Sequence, residues 1–197
     1  KAEYAELREY MNQAGKVHVY TEKKENIVPS YTVLAYVPQA IFLKLGRIFH
    51  FSFSLMYAFG KIGNLLLYIS VMFWAIKIAK IKQLFLLFLT LMPTNLFLAS
   101  SYTYDTVVFS FFTLGCVIWV NEMFFYESKT SAKKIIFMIL LFTIGSFSKA
   151  VYIPIILLVT LLPALKELPR KSRVAICTGI FLVFILVMIT FVLPTLT

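Results

Sequence analysis

Long apolar runs alternate with short polar hinges from residue 54 onward. A helix rising about 1.5 Å per residue needs about 20 residues to cross roughly 30 Å of hydrocarbon. Residues 54–76, 83–101, 106–126 and 174–193 each fit one crossing, with Pro93 predicting a kink in the second. Residues 135–165 are too long for one simple crossing, and GSFSKA (Gly145 to Ala150) interrupts them. That interruption predicts two shorter helices, about 133–147 and 151–165. The pattern as a whole predicts an all-α fold, a polytopic transmembrane helix bundle of about six spans over residues 54–197.

Two stretches ahead of the bundle read differently. Residues 1–30 are polar and predict a water-exposed loop region, with a short helix over Ala2 to Gln13 and a brief strand at VHVY. Residues 31–53 are aromatic and apolar but carry Pro38, Lys44, Arg47 and His50. Lys44 and Arg47 are three positions apart and share one helix face, with Ile41, Phe42, Leu45, Ile48 and Phe49 on the other. This predicts an amphipathic helix lying in the membrane interface, with a full crossing as the alternative.

Composition supports the membrane reading. Hydrophobic residues make up 60% of the chain, charged residues 14%, and the mean hydropathy is +0.86. Soluble domains carry about 25% charged residues, so this chain lacks the polar surface to cover a water-soluble globule. A disordered chain, a disulfide scaffold and an ordinary cytosolic enzyme are excluded. The net charge of +10 would raise the question of nucleic acid in a soluble protein. Here the basic residues sit in hinges between apolar runs, so no nucleic-acid partner is implied.

The hinges 77–82, 127–134 and 166–173 hold Lys77, Lys80, Lys82, Lys129, Lys133, Lys134, Lys166, Arg170, Lys171 and Arg173. With six spans these hinges share one side, and the other has only Lys149 between spans. The positive-inside rule makes the hinges cytoplasmic. A single span over 135–165 would move Lys166 to Arg173 outside, so the charges favour the hairpin. Residues 1–53, the SSYTYD knot (Ser100 to Asp105), GSFSKA and Thr197 then face outward. The chain starts at Lys1 without a signal peptide, which predicts an internal piece of a longer protein.

Few residues carry candidate chemistry. Asp105 is the single Asp and sits where an outer loop enters a helix. A carboxylate at mid-bilayer costs about 2.5–3.5 kcal/mol, so acids within spans are usually paired or functional. Two readings of Asp105 stay open. One is a helix cap, with Asp105 or Thr103 accepting a backbone N–H; the other is a binding role. Lys149 either snorkels to the interface, pairs with Asp105, or contacts a phosphate as a compact point charge.

Arg47 and Lys44 read first as interface anchors, Lys61 as structural, and Glu122 as solvated or at headgroup level. Cys116 and Cys177 lie inside apolar runs and read as small core residues. His18 and His50 lack metal-binding spacing, and no Walker loop, GxSxG, GxGxxG or zinc pattern is present. No metal site is expected from these residues.

In order along the chain come YTVLAYVPQAIFLKLGRIF, GKIGNLL, LMPTNLFLASSYTYD and SKAVYIP. Together they resemble the bacterial polytopic membrane proteins grouped as DUF2142, which are in turn similar to the GT-C glycosyltransferases. The resemblance covers residues of about 30–165, most sharply at Met92, Pro93, Ser101 and Asp105 and at Ser148, Lys149 and Tyr152. It implies a GT-C-like, multi-pass protein of the bacterial plasma membrane. The implied activity moves sugar from a polyprenyl-phosphate-linked donor to an acceptor glycan of the cell envelope, with inversion at the anomeric carbon.

The implied partners are membrane lipids, the lipid-linked sugar and the envelope glycan acceptor. The implied substrate-binding residues are Asp105, Lys149, Tyr152, Tyr104 and Arg47. Lys149 and Arg47 would stabilise charge on the leaving phosphate. Asp105 would hold the acceptor hydroxyl, orient Lys149 or help hold a divalent cation. In GT-C enzymes the catalytic acid lies in the first outer loop, just after the first span. Residues 1–53 carry Glu3, Glu6, Glu9, Glu22 and Glu25 but no Asp and no preceding span, so the base is expected upstream of Lys1. The alternative is a non-catalytic protein, either a scaffold of an envelope-assembly complex or a transporter whose helix breaks at GSFSKA.

Overall fold

The computed structural model describes residues 33–125 and 132–196, together with Ala5 and Glu9, which are helical. The rest of the polar region 1–30, with its VHVY strand, and residues 126–131 of the middle hinge lie outside the described residues. Among the described residues no strand is present. A 3-10 turn (Val33–Tyr36) leads into α1 (Val37–Ile48), and α2 (Phe53–Ile78), α3 (Gln83–Thr90), α4 (Pro93–Ala99) and α5 (Asp105–Phe124) follow. Next come α6 (Ala132–Ser148), a 3-10 segment (Ala150–Leu161), α7 (Pro163–Glu167) and α8 (Arg170–Leu196). Among the described residues three stretches are long and apolar enough to cross a membrane by length and composition: Phe53–Ile78, Asp105–Phe124 and Arg170–Ile189.

Helix α1 doubles back along the first half of α2. Gly46 lies against Met56, Leu43 against Gly60, and Phe42 and Pro38 against Gly63, so the pairs run in opposite directions. The approach is close: a Cβ on Gly63 would meet the Phe42 ring at 2.6 Å. The buried face of α1 holds Gln39 and Gly46, while Ile41, Leu45 and Ile48 are exposed together with Lys44 and Arg47. An apolar stripe turned away from the bundle suits a helix whose outer surroundings are themselves apolar.

The span expected over 83–101 is two helices. Pro93 lacks an N–H and its ring clashes with the preceding turn, and Met92 takes an extended conformation with ψ 133°. The carbonyls freed by the break find side-chain donors. The Asn95 amide donates to the Leu89 carbonyl at 2.8 Å, and the buried Tyr68 hydroxyl donates to the Thr90 carbonyl at 2.7 Å.

Helices α5 and α6 form an antiparallel pair with a reciprocal fit. Gly115 of α5 faces the Phe142 ring of α6, and Gly145 of α6 faces the Phe112 ring of α5. The two rings lie 5.6 Å apart between these glycines. Small residues that admit a neighbour's bulk are what membrane helices use where no hydrophobic gain drives association.

The second half of the 135–165 hairpin departs from the expected helix over 151–165. Residues Ala150–Leu161 form a 3-10 helix of 12 residues, long for a conformation mostly found in short pieces. Its sequence explains this. Ile153, Ile156, Val159 and Leu162 are all buried and recur every third residue. At about three residues per turn they stay on one face, whereas at 3.6 per turn the stripe would wind off it.

At about 2.0 Å per residue the segment covers about 24 Å, close to the roughly 25 Å of α6. A short segment thus returns the chain alongside a longer helix. Tyr152 packs on Phe112 with ring centroids 5.5 Å apart, and Trp119 donates to the Leu158 carbonyl at 2.8 Å. The segment therefore runs parallel to α5 and back toward its C-terminal end, and α8 packs against it and α6.

Candidate functional site

The loop Ser100 to Tyr104 delivers Asp105 to the start of α5, and α2 ties that loop down. Asn64, fully buried in α2, donates its amide to the Ser101 carbonyl at 2.9 Å and to the Thr106 hydroxyl at 3.0 Å. Thr106 in turn donates to the Leu98 carbonyl at 3.0 Å. The Tyr102 hydroxyl donates to the Tyr57 carbonyl at 2.8 Å, and the two rings stack 4.8 Å apart. Lys61 stands over the same Tyr57 ring at 4.8 Å. A buried amide is costly unless bonded, so Asn64 fixes the loop rather than merely touching it.

Lys149 approaches from the break between α6 and the 3-10 segment, in an extended conformation with φ −155° and ψ 93°. Its N–H donates to the Ser146 carbonyl at 3.0 Å, and its carbonyl accepts from the Tyr152 N–H at 3.1 Å. Its Nζ lies 3.5 Å from Asp105 Oδ1, 5.4 Å from the centre of the Tyr104 ring and 5.8 Å from that of Tyr152. The structure thus brings Asp105, Lys149, Tyr104 and Tyr152 together at one end of the α5–α6 pair. Both charged side chains stay about a third exposed, 37% for Lys149 and 36% for Asp105, which leaves the ammonium within reach of a ligand.

Partial burial pulls the Lys149 pKa down, but attraction to the Asp105 carboxylate and to the Tyr104 and Tyr152 phenols outweighs it. The ammonium is therefore held above its ordinary range. Two cation–π contacts and one ion pair keep the charge while leaving N–H donors for a further acceptor.

The cap expected of Asp105 or Thr103 is not formed. Tyr104 precedes α5 and no side chain caps the helix, while the Thr103 hydroxyl donates to the Leu98 carbonyl at 3.3 Å. Asp105 occupies the first turn instead, where the helix dipole favours an anion. Lys149 does not simply snorkel, because its ammonium meets a carboxylate. Among the described residues the buried hydroxyl of neighbouring Ser148 has no hydrogen-bond partner. Arg47 lies exposed in the last turn of α1; the cation that reaches Asp105 is Lys149. Among the described residues no three of His, Cys, Asp and Glu gather for a metal, so a divalent cation beside Asp105 would draw its other oxygens from backbone carbonyls, water or a bound phosphate.

Two residues carry more than their sequence reading gave them. Asn64 had a signal, an amide inside the apolar run of GKIGNLL. Glu122, expected to be solvated, is buried at 8% and receives the Lys134 ammonium at 2.9 Å. The adjacent Asn121 closes the end of α2, donating to the Ile78 carbonyl at 2.7 Å and accepting from the Lys80 N–H at 3.0 Å.

Apolar helices of spanning length around a charged, tyrosine-flanked cluster define a helical membrane protein with one chemically distinctive end. A family model described as "Predicted membrane protein (DUF2142)" matches residues 5–197. The chain belongs to that family. Neither the comparison with curated proteins nor that with solved structures gave a match.

Proposed function

We propose that this membrane protein contributes the donor-phosphate site of a GT-C-like glycosyltransferase of the bacterial plasma membrane. The proposed donor is a polyprenyl-phosphate-linked sugar and the proposed acceptor an envelope glycan. One observation carries the reading. The Lys149 backbone is hydrogen-bonded on both sides, and its ammonium is backed by two tyrosine rings and paired with the lone Asp, yet stays partly exposed.

In the proposed transfer the anomeric C–O bond to the phosphate breaks as the acceptor oxygen bonds to the anomeric carbon. The phosphate leaves with the bonding electrons, and the acceptor's proton passes to a base. Lys149 is a fixed cation aimed at the charge that develops on the leaving phosphate. Asp105 keeps that cation in place and is an acceptor for the incoming hydroxyl. The tyrosines exclude water from one side of the ammonium and strengthen its charge interactions.

A transporter is the second reading, favoured by the break at Lys149 between an α-helix and a long 3-10 segment. The full-length protein in detergent, titrated with farnesyl phosphate and with farnesol, tests the phosphate site. Phosphate-selective thermal stabilisation that Lys149→Gln loses and Lys149→Arg largely keeps is expected. Equal stabilisation by the alcohol would contradict it.

A further inference from the structure

At the other end of the bundle a cavity of about 700 Å³ lies between α2, α5 and α6. That volume is within the range of ligand pockets, roughly 300–1,000 Å³. Leu114 and Ile118 of α5 are buried and form its floor, and Val71 and Trp74 of α2 and Phe137 of α6 form its walls. Trp74 and Phe137 are 59% and 49% exposed, so the cavity opens sideways from the bundle rather than into its core. From Leu114 to Phe125 its floor follows α5 for about 16 Å, about half of a roughly 30 Å hydrocarbon layer.

Only one end of the cavity is charged. Lys80, Glu122 and Lys134 line it, with the Lys80 ammonium 5.7 Å from the Phe125 ring and Lys134 paired with Glu122 at 2.9 Å. Lys77 stands 5.8 Å over the Trp74 ring beside them. In sequence, the hinges 77–82 and 127–134 together with Glu122 carry six Lys and two Glu, an excess of positive charge.

We infer that this groove holds an anionic phospholipid, with an acyl chain along the α5 floor and the phosphate at the Lys80–Lys134 end. The shape argues for a lipid: the opening is apolar, faces sideways and is one leaflet deep. The charge argues for an anionic headgroup, because basic pockets between membrane helices attract it on the cytoplasmic side. The basic hinges put this end on that side. The inference is independent of the phosphate site proposed for Lys149, which lies at the opposite end of α5.

Trp74 reports on the groove directly. In the full-length protein with every Trp other than Trp74 replaced by Phe, reconstituted with brominated phosphatidylglycerol or brominated phosphatidylcholine, the glycerol lipid should quench Trp74 fluorescence more at equal mole fraction. Lys80→Gln should cut that preference about fivefold, as expected for one Lys beside an anionic headgroup. Ser70→Phe, which fills the wall, should reduce quenching by both lipids. Native mass spectrometry of the parent, which needs no Trp119 variant, should show retained phosphatidylglycerol in excess over phosphatidylcholine. Equal quenching and equal retention, or a preference that survives both substitutions, would overturn the inference.

Discussion

Glu122 and Lys134 form an ion pair of 2.9 Å at the opposite end of the same two helices that Asp105 and Lys149 join at 3.5 Å. Seventeen positions of α5 separate the two acids, about 25 Å of helix. The antiparallel α5–α6 pair is thus clasped at each end by an ion pair, with interlocked Phe112 and Phe142 between. The two clasps differ in burial: the Glu122 side chain is 11% exposed and its Lys134 partner 59%, whereas both members of the Asp105 pair are about a third exposed. In the first the carboxylate is buried, and in the second both charges reach solvent.

Removing Lys134 alone should cost more than removing both members of the Glu122 pair. Lys134→Ala takes the ammonium 2.9 Å away from a buried carboxylate, and should lower stability by about 1–3 kcal/mol. The double variant Glu122→Gln, Lys134→Ala should recover a large part of that loss. Thermal unfolding of the two variants in the same detergent checks the order.

The Gly145 contact should not tolerate bulk. A Cβ there would meet the Phe112 ring at 2.6 Å, and overpacking of a tight contact costs about 1–3 kcal/mol. Gly145→Ala should lower the unfolding temperature, and Phe112→Leu in the same chain should restore part of it. Additive losses in the double variant would show that the two residues do not share this contact.

The Lys149 charge gives a pH signature. Its pKa in the folded protein is raised above the ordinary 10.5. A raised pKa favours the folded state while the group is charged, so the contribution is fully present below 10.5 and fades as pH climbs through the higher folded value. The difference in unfolding temperature between the parent and Lys149→Gln should be constant at neutral pH and shrink at strongly alkaline pH. A difference that grows with pH would contradict this sign.

The charge pattern also predicts an orientation. In a background with Cys116→Ala and Cys177→Ala, an impermeant thiol reagent on intact cells should label Lys149→Cys but neither Lys134→Cys nor Arg173→Cys. Labelling at 134 or 173 with 149 silent would overturn the hairpin topology.

Much of this architecture is legible in the chain because membrane spans announce themselves by length and apolarity. Phe53–Ile78 and Asp105–Phe124 fall within a few residues of their sequence boundaries, and GSFSKA marks the turn that carries Lys149. The conformation of the return segment was hidden because both helix types accept the same apolar residues. Only the three-residue spacing of Ile153, Ile156, Val159 and Leu162 tells them apart, and a run apolar on every side masks it. The role of Glu122 was hidden because its partner lies across a hinge, and a charge near a span end reads equally as solvated. Asn64 stood out in its run, but its partners Ser101 and Thr106 are set by how α2 meets the loop Ser100 to Tyr104, which no local pattern encodes.

Transfer itself is the most direct test of the Asp105–Lys149 site. Membranes containing the full-length protein, a labelled lipid-linked sugar pool and envelope acceptor should show transfer that Asp105→Asn strongly reduces while the protein still inserts. Lys149→Gln should raise the KM for the phosphate-bearing donor more than that for the acceptor. Transfer by both variants at the parent's rate and KM would contradict the account and leave the cluster as a structural clasp.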